Sequence, residues 1–351
     1  MILFLILAGG LWGLGALMKA PYQARFLMIA LLYVAVLFAI VALPQGHPIS
    51  AQFGGSAEPW LVLGGLAVLI ALYRRLLGGV RGRAQSVEAA RAAEDTPKPT
   101  GPFSSVELDR YARHIVLREV GGAGQKRLKD AKILVIGAGG LGSPVILYLA
   151  AAGVGTIGVI DDDKVSLSNL QRQVIHRDQA IDMPKVFSAE ATVQALNPHV
   201  TVRPYNRRLT DDIAEELFAE YDVIIDGCDS FETRQLVNRA AVATGRPLVA
   251  GAISQWEGQV TLYDPAGGAP CLACLFPTAP APGLAPSCAE AGVIGALPGI
   301  VGSIMALEAI KEITGAGTPL RGTMLLWDGL DADARRMNVQ RRADCPVCGD
   351  I

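Results

Sequence analysis

The chain has 351 residues, of which 51% are hydrophobic and 18% are charged, and its formal net charge at pH 7 is -2. This composition excludes a mini-protein, a coiled coil and a disordered chain. The charge balance gives no basic surface of the kind that nucleic-acid-binding proteins use, so no nucleic acid is expected as a partner. A mean hydropathy of +0.35 predicts that part of the chain lies in a membrane.

Three apolar runs at the N-terminus hold most of the hydrophobic excess. The runs over 1–18 and 26–43 contain no charged residue, and an 18-residue helix covers about 27 Å, close to the thickness of the hydrocarbon core. A shorter run over 59–75 ends in two arginines. We therefore predict about three transmembrane helices within a membrane region 1–77. A cleaved signal peptide is the alternative for the first run, but no basic segment precedes it and a second apolar run follows.

Basic residues between the runs indicate the orientation in the membrane. Lys19 and Arg25 lie between the first two runs, the loop 44–59 has neither lysine nor arginine, and Arg74 and Arg75 begin a basic segment after the third. The positive-inside rule then places the N-terminus outside and everything after residue 74 in the cytoplasm. The expected localisation is the cytoplasmic (inner) membrane, multi-pass, with the catalytic domain in the cytoplasm.

A change of composition separates the membrane region from a globular domain. Residues 78–104 are rich in Gly, Arg, Ala, Glu and Pro, which is typical of a linker. Ser104 with Glu107 three positions later predicts a capping box that opens a helix through Arg118. The globular domain is therefore expected to cover 105–351.

The domain begins with a strand, a glycine loop and a helix in succession. Residues 132–136 predict a strand, 137–142 are Gly-Ala-Gly-Gly-Leu-Gly, and 144–152 predict a helix. This order predicts a phosphate site, because glycines let the backbone approach the phosphates and a helix N-terminus favours negative charge. A second strand over 156–160 ends at Asp161, where a nucleotide ribose would be met.

Further strands and helices alternate along the rest of the domain. Helices are predicted near 185–196, 211–219 and 292–313, and strands at 200–202, 222–225, 247–252, 258–263 and 323–327. This series predicts an α/β fold, a Rossmann-like and mostly parallel sheet with helices on both faces. The strand at 222–225 leads to Asp229, so a carboxylate is expected at the carboxyl edge of the sheet, where ligands of such folds bind.

The glycine loop is compatible with more than one function. A G-x-G-x-x-G loop followed by an acidic residue also occurs in NAD- and FAD-dependent enzymes, so the loop alone favours an oxidoreductase. The stretch after Asp161 favours a triphosphate instead, because Arg172 and Lys185 can neutralise charge on phosphate oxygens and Asp229 can hold Mg²⁺. A non-catalytic ATP-binding scaffold held at the membrane is a third alternative.

The cysteines and several polar residues have their own interpretations. Two C-x-x-C pairs predict one tetrahedral, structural zinc site, with a pair of redox dithiols as the alternative. These ligands are Cys271, Cys274, Cys345 and Cys348. Cys228 is interpreted as a core thiol. Solvent-exposed surface positions are expected for His176, His199, Arg203, Arg207 and Arg208.

Several motifs in chain order carry a family resemblance. They are Arg110-Tyr111-Ala112-Arg113, GAGGLG, DDDKVSLSNLQRQ, the strand end at Asp229, CLAC, CAEAG and CPVC. On these motifs, residues 105–351 resemble the MoeB/ThiF/HesA group of ubiquitin-activating-enzyme-like adenylyltransferases, which serve molybdopterin synthase and thiamine biosynthesis. The resemblance implies ATP-dependent adenylylation of the C-terminal glycine of a ubiquitin-fold sulfur carrier ending in Gly-Gly, which releases pyrophosphate and prepares thiocarboxylate formation.

The resemblance also implies roles for individual residues. Asp161 contacts the ribose and Asp229 holds magnesium. Arg113 reaches across a homodimer into the neighbouring subunit's nucleotide. The other ATP-binding residues are Gly137, Gly139, Gly140, Gly142, Asp163, Asn169, Arg172, Gln173 and Lys185. The catalytic set is Arg172, Lys185, Asp229, Arg113 and Cys288.

One cysteine of the family pattern, Cys288, has two possible roles, and two positions depart from the pattern. In relatives the cysteine at this position can link covalently to the carrier, whereas a free thiol that only packs is the alternative. The pattern includes no rhodanese domain, so a separate sulfur donor of the cysteine desulfurase or rhodanese type is expected. His114 stands where glutamine is usual, and Ser230 where asparagine follows the magnesium aspartate. Neither substitution removes a charge, so activity is expected to survive.

Overall fold

A computed structural model of the protein describes residues 2–44, 47–94, 101–279 and 291–351, without side chains at 50 and 78–94. The chain divides into two compact units, 1–98 and 99–351. In the first unit the helices are α1 (Ile2–Leu17), α2 (Tyr22–Ala42), α3 (Pro48–Gln52) and α4 (Glu58–Glu94). Val36, Ile40, Phe53 and Trp60 form a small buried cluster between them.

Among the described residues of the first unit, two helices rather than the predicted three are long and apolar enough to cross a membrane. They are Tyr22–Ala42, with a mean hydropathy of 2.5, and the Glu58–Leu77 part of α4, with 1.7. Helix α1 has 16 residues and therefore extends about 24 Å, less than the roughly 30 Å of a hydrocarbon core. The chain turns at Lys19, whose φ is 52°, which ends this helix. The structure therefore gives two candidate spans, fewer than the three predicted, and the span at 1–18 stays a prediction.

Helix α4 extends into the segment that was predicted as a linker. It continues past residue 77 to Glu94 without a break, so it has 37 residues. At about 1.5 Å per residue the part after Leu77 adds about 25 Å of helix. Residues 78–94 of the predicted linker 78–104 are thus helical in backbone.

An eight-stranded sheet forms the centre of the second unit, in the order β3-β2-β1-β4-β5-β6-β7-β8. The first five strands in this order are parallel, and the last three pair antiparallel. The strands are β1 (Lys132–Ile136), β2 (Thr156–Ile160), β3 (Thr201–Tyr205), β4 (Val223–Asp226), β5 (Leu248–Ser254), β6 (Glu257–Tyr263), β7 (Thr323–Asp328) and β8 (Asp333–Asn338). This sheet confirms the predicted mostly parallel α/β architecture.

Helices cover both faces of the sheet. They are α5 (Ser105–Ile115), α6 (Gly121–Asp130), α7 (Gly142–Ala152), α8 (Lys185–Leu196), α9 (Asp211–Ala219), α10 (Phe231–Ala243), α11 (Leu272–Leu275) and α12 (Ala296–Thr314). Strand β1 shows the two-sided burial directly, because Ile133 and Val135 belong to one apolar cluster and Leu134 and Ile136 to another. The predicted capping box at Ser104 and Glu107 is present at the start of α5.

The register of the parallel strands places three strand ends together. Ile136 at the end of β1 pairs with Ile160 of β2 on one side and with Asp226 of β4 on the other. The chain leaves β1 for β2 and returns to β4 on the opposite side, so the strand order reverses at β1. Ligands of open α/β sheets bind at such a switch point, outside the carboxyl ends of the strands.

Candidate active site

A cavity of about 910 Å³ opens at this switch point. Most residues that the sequence assigned to ATP binding and catalysis line it, namely Gly137, Gly139, Gly140, Asp161, Asp163, Arg172, Gln173, Lys185 and Asp229. Within the described part of the chain, Gly142, Asn169 and Arg113 do not line the cavity. Arg113 is exposed on α5.

The glycine loop runs from the end of β1 into the start of α7. Gly137 has a φ of +91°, which favours glycine. A Cβ atom on Gly142 would lie 1.9 Å from the carbonyl oxygen of Gly137, so no side chain fits at the first residue of α7. The two glycines therefore allow a tight turn that presents the N-terminus of α7 to the cavity, as anion binding requires.

Asp161 connects the glycine loop to the segment after β2. Its carboxylate accepts hydrogen bonds from the backbone N–H of Ala138 at 2.7 Å and of Asp163 at 2.8 Å. Burial raises the pKa of Asp161, although Lys185 and the two backbone N–H groups oppose this effect. The carboxylate is thus fixed at the cavity wall by its own neighbours.

Two cations lie in the cavity with defined partners. The Lys185 side chain is 5% exposed, and its Nζ donates to Asp163 Oδ2 at 2.7 Å. Arg172 donates to Asn169 Oδ1 at 2.9 Å. Asp163 and Asn169, both assigned to ATP by the resemblance, therefore hold the two cations in this structure.

An ion pair below the cavity fixes the end of β4. Asp226, 1% exposed, pairs with Arg234 of α10 at 3.2 Å. Arg234 also donates to the carbonyl oxygens of Cys228 and Gly251. Because Asp226 is already paired, the exposed Asp229 is the carboxylate of this turn that faces the cavity.

Cys228 differs from the predicted core thiol. It packs against the apolar cluster below the sheet, but it is only partly buried and lines the cavity. Its thiol donates to Asp226 Oδ1 at 2.7 Å. Burial and the neighbouring Asp226 carboxylate raise the pKa of Cys228 well above its ordinary value, so the group is a thiol rather than a nucleophilic thiolate.

Three polar residues that the sequence analysis placed on the solvent-exposed surface belong to the site. His176 is 6% exposed and hydrogen-bonds to the carbonyl of Ala138 in the glycine loop, so the surface prediction for it is wrong. Arg207 and Arg208 are exposed as predicted, but they also line the cavity. Their position directly after the carboxyl end of β3 was the available signal. Arg203 pairs with Glu220 at the surface, and His199 is exposed as predicted.

Ser230 and Gln173 have clear local environments. Ser230 caps α10, because its side chain accepts a hydrogen bond from the backbone N–H of Thr233. Gln173 is 4% exposed, and its buried Oε1 has no hydrogen-bond partner among the described residues. Buried polar atoms are normally paired, so this atom at the cavity wall fits a site that a ligand or water completes.

The four predicted zinc ligands come together away from the nucleotide cavity. All four thiols are buried and lie within 4.8 Å of one another. The Sγ–Sγ distances are 3.9 Å for Cys271 and Cys274, 3.6 Å for Cys271 and Cys345, and 3.5 Å for Cys274 and Cys348. Zinc–sulfur bonds of about 2.3 Å in a tetrahedron place sulfur atoms about 3.8 Å apart, whereas a disulfide requires about 2 Å. The spacing therefore fits a metal and not disulfides.

One thiol of this cluster is already favoured as a ligand. Burial alone would raise the pKa of Cys345, but hydrogen bonds from the backbone N–H groups of Val347 and Cys348 lower it to about 7. The thiolate is the form that binds metal. Cys288, the remaining predicted catalytic residue, lies outside the described residues.

The fold and the cavity together define a nucleotide-binding α/β protein with its phosphate loop at the switch point of the sheet. Residues 111–347 match the model of the ThiF family. The chain belongs to this family, which confirms the resemblance found in the sequence.

Relatives and solved structures agree with this assignment. The chain is 52% identical over 254 residues to a sulfur carrier protein adenylyltransferase of Thermus thermophilus, covering 71% of this chain and 93% of that protein. It is 48% identical over 248 residues to a SAMP-activating enzyme E1 of Haloferax volcanii, covering 71% and 91%. The structure of Escherichia coli MccB superposes with a TM-score of 0.62 at 22% identity, covering 70% of this chain and 73% of that one, and supports the fold alone.

Proposed function

We propose that this protein is a nucleotidyltransferase that uses ATP to adenylylate the C-terminal glycine carboxylate of a ubiquitin-like sulfur carrier. The observation that carries the proposal is the cavity itself. It combines a glycine loop at a helix N-terminus with two oriented cations, Arg172 and Lys185, and an exposed carboxylate, Asp229. Sulfur carrier activation is also what the names of the relatives from Thermus and Haloferax describe.

The chemistry follows from the arrangement of charges. A carboxylate oxygen of the carrier attacks the α-phosphorus of ATP, the bond to the bridging oxygen breaks, and pyrophosphate leaves with the electron pair. The products are an acyl-adenylate, which is a mixed anhydride, and pyrophosphate. Arg172 and Lys185 stabilise the negative charge that builds on the phosphate oxygens, and the glycine loop holds the phosphates in line.

Asp229 fits a magnesium ligand. It is the exposed carboxylate of the β4–α10 turn, whereas Asp161 accepts two backbone hydrogen bonds and Asp163 pairs with Lys185. An oxygen ligand at the cavity wall is what Mg²⁺ takes when it also binds phosphates. When bound, the ion would neutralise phosphate charge.

The zinc site, the homodimer and the sulfur transfer step are further parts of the proposal. The four cysteines would hold a structural zinc ion, because their donor set and spacing match a closed tetrahedral site. Arg113 is exposed on α5 and does not line the cavity within the described chain, which suits a residue that serves the other subunit of a homodimer. Cys288 as a covalent site and a separate sulfur donor remain predictions.

Two other functions are less well supported. Five cationic side chains line the cavity, namely Arg172, Lys185, Arg207, Arg208 and Arg234. Arg234 is paired with Asp226, which leaves four for a ligand, and a nicotinamide dinucleotide needs fewer positive charges than a triphosphate. The combination of Arg172, Lys185 and Asp229 at one cavity argues against a scaffold that only binds ATP.

The experiment that tests the proposal is carrier-dependent ATP–pyrophosphate exchange by the full chain in detergent micelles. Each ubiquitin-fold carrier of the same genome is supplied in turn, and a form lacking its terminal Gly-Gly is the matched control. We expect exchange with one intact carrier and none with its truncated form. ATP binding without exchange for any carrier would favour the scaffold, and nicotinamide reduction would favour the oxidoreductase.

We also propose that the N-terminal unit anchors the protein in the cytoplasmic membrane, with the second unit in the cytoplasm. Spans at Tyr22–Ala42 and Glu58–Leu77 form a hairpin whose outer loop has no lysine or arginine, while Arg74 and Arg75 lie at the inner end. Two spans place the N-terminus in the cytoplasm, whereas the three-span prediction places it outside.

Labelling of single engineered cysteines in intact cells by an impermeant thiol reagent tests this topology. We expect a cysteine in the loop 53–57 to be labelled and cysteines at the N-terminus and on the exposed face of α9 to be protected. Labelling at the N-terminus would restore the third span. Recovery of the full chain in the soluble fraction after lysis without detergent would remove the anchor altogether.

A further inference from the structure

A closed series of hydrogen bonds joins the glycine loop to the first turn of α8. Ala138 is its centre, because both backbone polar atoms of this residue are used. The N–H of Ala138 donates to Asp161 at 2.7 Å, and its carbonyl oxygen is 2.9 Å from His176 Nε2. The two peptide groups on either side of the Ala138 Cα are therefore each held by one hydrogen bond.

Both sides of this series end on α8. On one side, Asp161 also accepts from the N–H of Asp163, whose carboxylate binds Lys185 at 2.7 Å. On the other side, His176 Nδ1 is 2.9 Å from the hydroxyl of Ser188. Lys185 and Ser188 are three positions apart, so they lie on one turn of the helix. The phosphate loop and the phosphate-binding lysine thus share one rigid support.

The hydrogen-bonding partners define the state of the imidazole. A carbonyl oxygen can only accept, so Nε2 must carry the proton toward Ala138. Nδ1 is then free to accept from the Ser188 hydroxyl. Burial lowers the pKa of His176 and the nearby Lys185 charge acts in the same direction, while the hydrogen bond to Ala138 opposes them. The net lowering favours this neutral tautomer.

We propose that His176 is a positioning residue of the nucleotide site, which fixes the Ala138 carbonyl and so aims the glycine loop at the phosphates. This inference rests on ATP binding in the proposed function, but it does not depend on the carrier. Without the imidazole, the free loop turns its Ala138 carbonyl toward water. ATP then binds only the fraction of molecules in which the loop has the correct orientation. The apparent Kd for ATP is therefore the intrinsic Kd divided by that fraction.

Two substitutions of His176 separate the two hydrogen bonds. In His176→Gln the amide nitrogen can occupy the place of Nε2 and keep the bond to Ala138. In His176→Asn the shorter side chain reaches only the place of Nδ1, so the bond to Ser188 is kept and the one to the glycine loop is lost. His199→Asn is the matched control, because His199 is exposed.

The test measures the dissociation constant for ATP and the melting temperature of the full chain in detergent, followed by the KM for the carrier. We expect His176→Asn to raise the Kd for ATP about tenfold, His176→Gln to stay within about threefold of the parent, and the carrier KM to change little in either. The control should match the parent protein in all three quantities.

The outcomes distinguish this role from simple packing. A lower melting temperature with an unchanged Kd for ATP in His176→Asn would make His176 a packing residue only. Equal losses of affinity in the glutamine and asparagine variants would show that the bond to Ala138 is not what matters. Failure of the proposed function would appear differently, as ATP binding by the parent protein without carrier-dependent exchange, and the comparison of Kd values would still decide the role of His176.

Discussion

Replacing Asp229 with alanine is expected to lower the rate of carrier-dependent ATP–pyrophosphate exchange at least about 100-fold, since removal of one electrostatic contact to a transition state typically costs that much. Asp229 is exposed at the cavity and, among the described residues, has no ion-pair partner, whereas Asp226 at the end of β4 is paired with Arg234. Initial rates at a series of Mg²⁺ concentrations measure the effect.

Two controls accompany the Asp229 variant. The fold and the metal content should not change, because Asp229 takes no part in the buried pair of Asp226 and Arg234. Glu216→Ala removes an exposed carboxylate from α9, outside the cavity, and should retain the parent rate. Normal turnover of Asp229→Ala would mean that the magnesium assignment is wrong.

The second large effect is expected from the cysteine cluster. Cys348→Ser should release one zinc ion per chain and lower the melting temperature of the second unit by more than about 6 °C, given that 1 kcal/mol shifts the midpoint of a domain of this size by about 2–4 °C. Cys348 is fully buried against Cys274. Loss of the metal would leave three buried thiols without the ion that they bind together.

Metal analysis and thermal unfolding measure this effect together. Cys228→Ala is the matched control for zinc content, because Cys228 is a partly buried thiol outside the cluster, and it should retain one zinc per chain. A Cys348→Ser protein that keeps its zinc and its melting temperature would show that Cys348 is not a zinc ligand. A parent protein that contains no zinc would support the redox dithiol alternative.

Local patterns in the sequence were enough to predict most elements that form the nucleotide site, although helix α10 was not predicted. Strands β1 and β2 and helices α8 and α9 have the predicted bounds. Each strand is a short apolar run followed by a glycine or an acidic residue, α8 begins directly after Pro184, and α9 has two aspartates in its first turn. The capping box at Ser104 was predictable for the same reason, although the helix ends at Ile115 rather than Arg118.

Elements that depend on tertiary support were not predicted. Helix α6 begins with a glycine-rich sequence of low helix propensity. It is held in part by the side chain of Gln125, which donates to the carbonyl of Ala152 at 2.7 Å. Strand β8 was missed because Asp333–Asn338 is an exposed edge strand without an apolar alternation, so only its pairing with β7 makes it a strand.

By itself, the sequence determined the class of fold, the glycine loop, the two cations after Asp161 and the zinc-type spacing of the cysteines, since residue type and short-range spacing carry these features. Only the tertiary structure decided the surroundings of each group. It buried His176 against the glycine loop, brought Arg207 and Arg208 to the cavity, and paired Asp163 with Lys185. These contacts join segments distant in the sequence, and the strand order and register of the sheet bring them together.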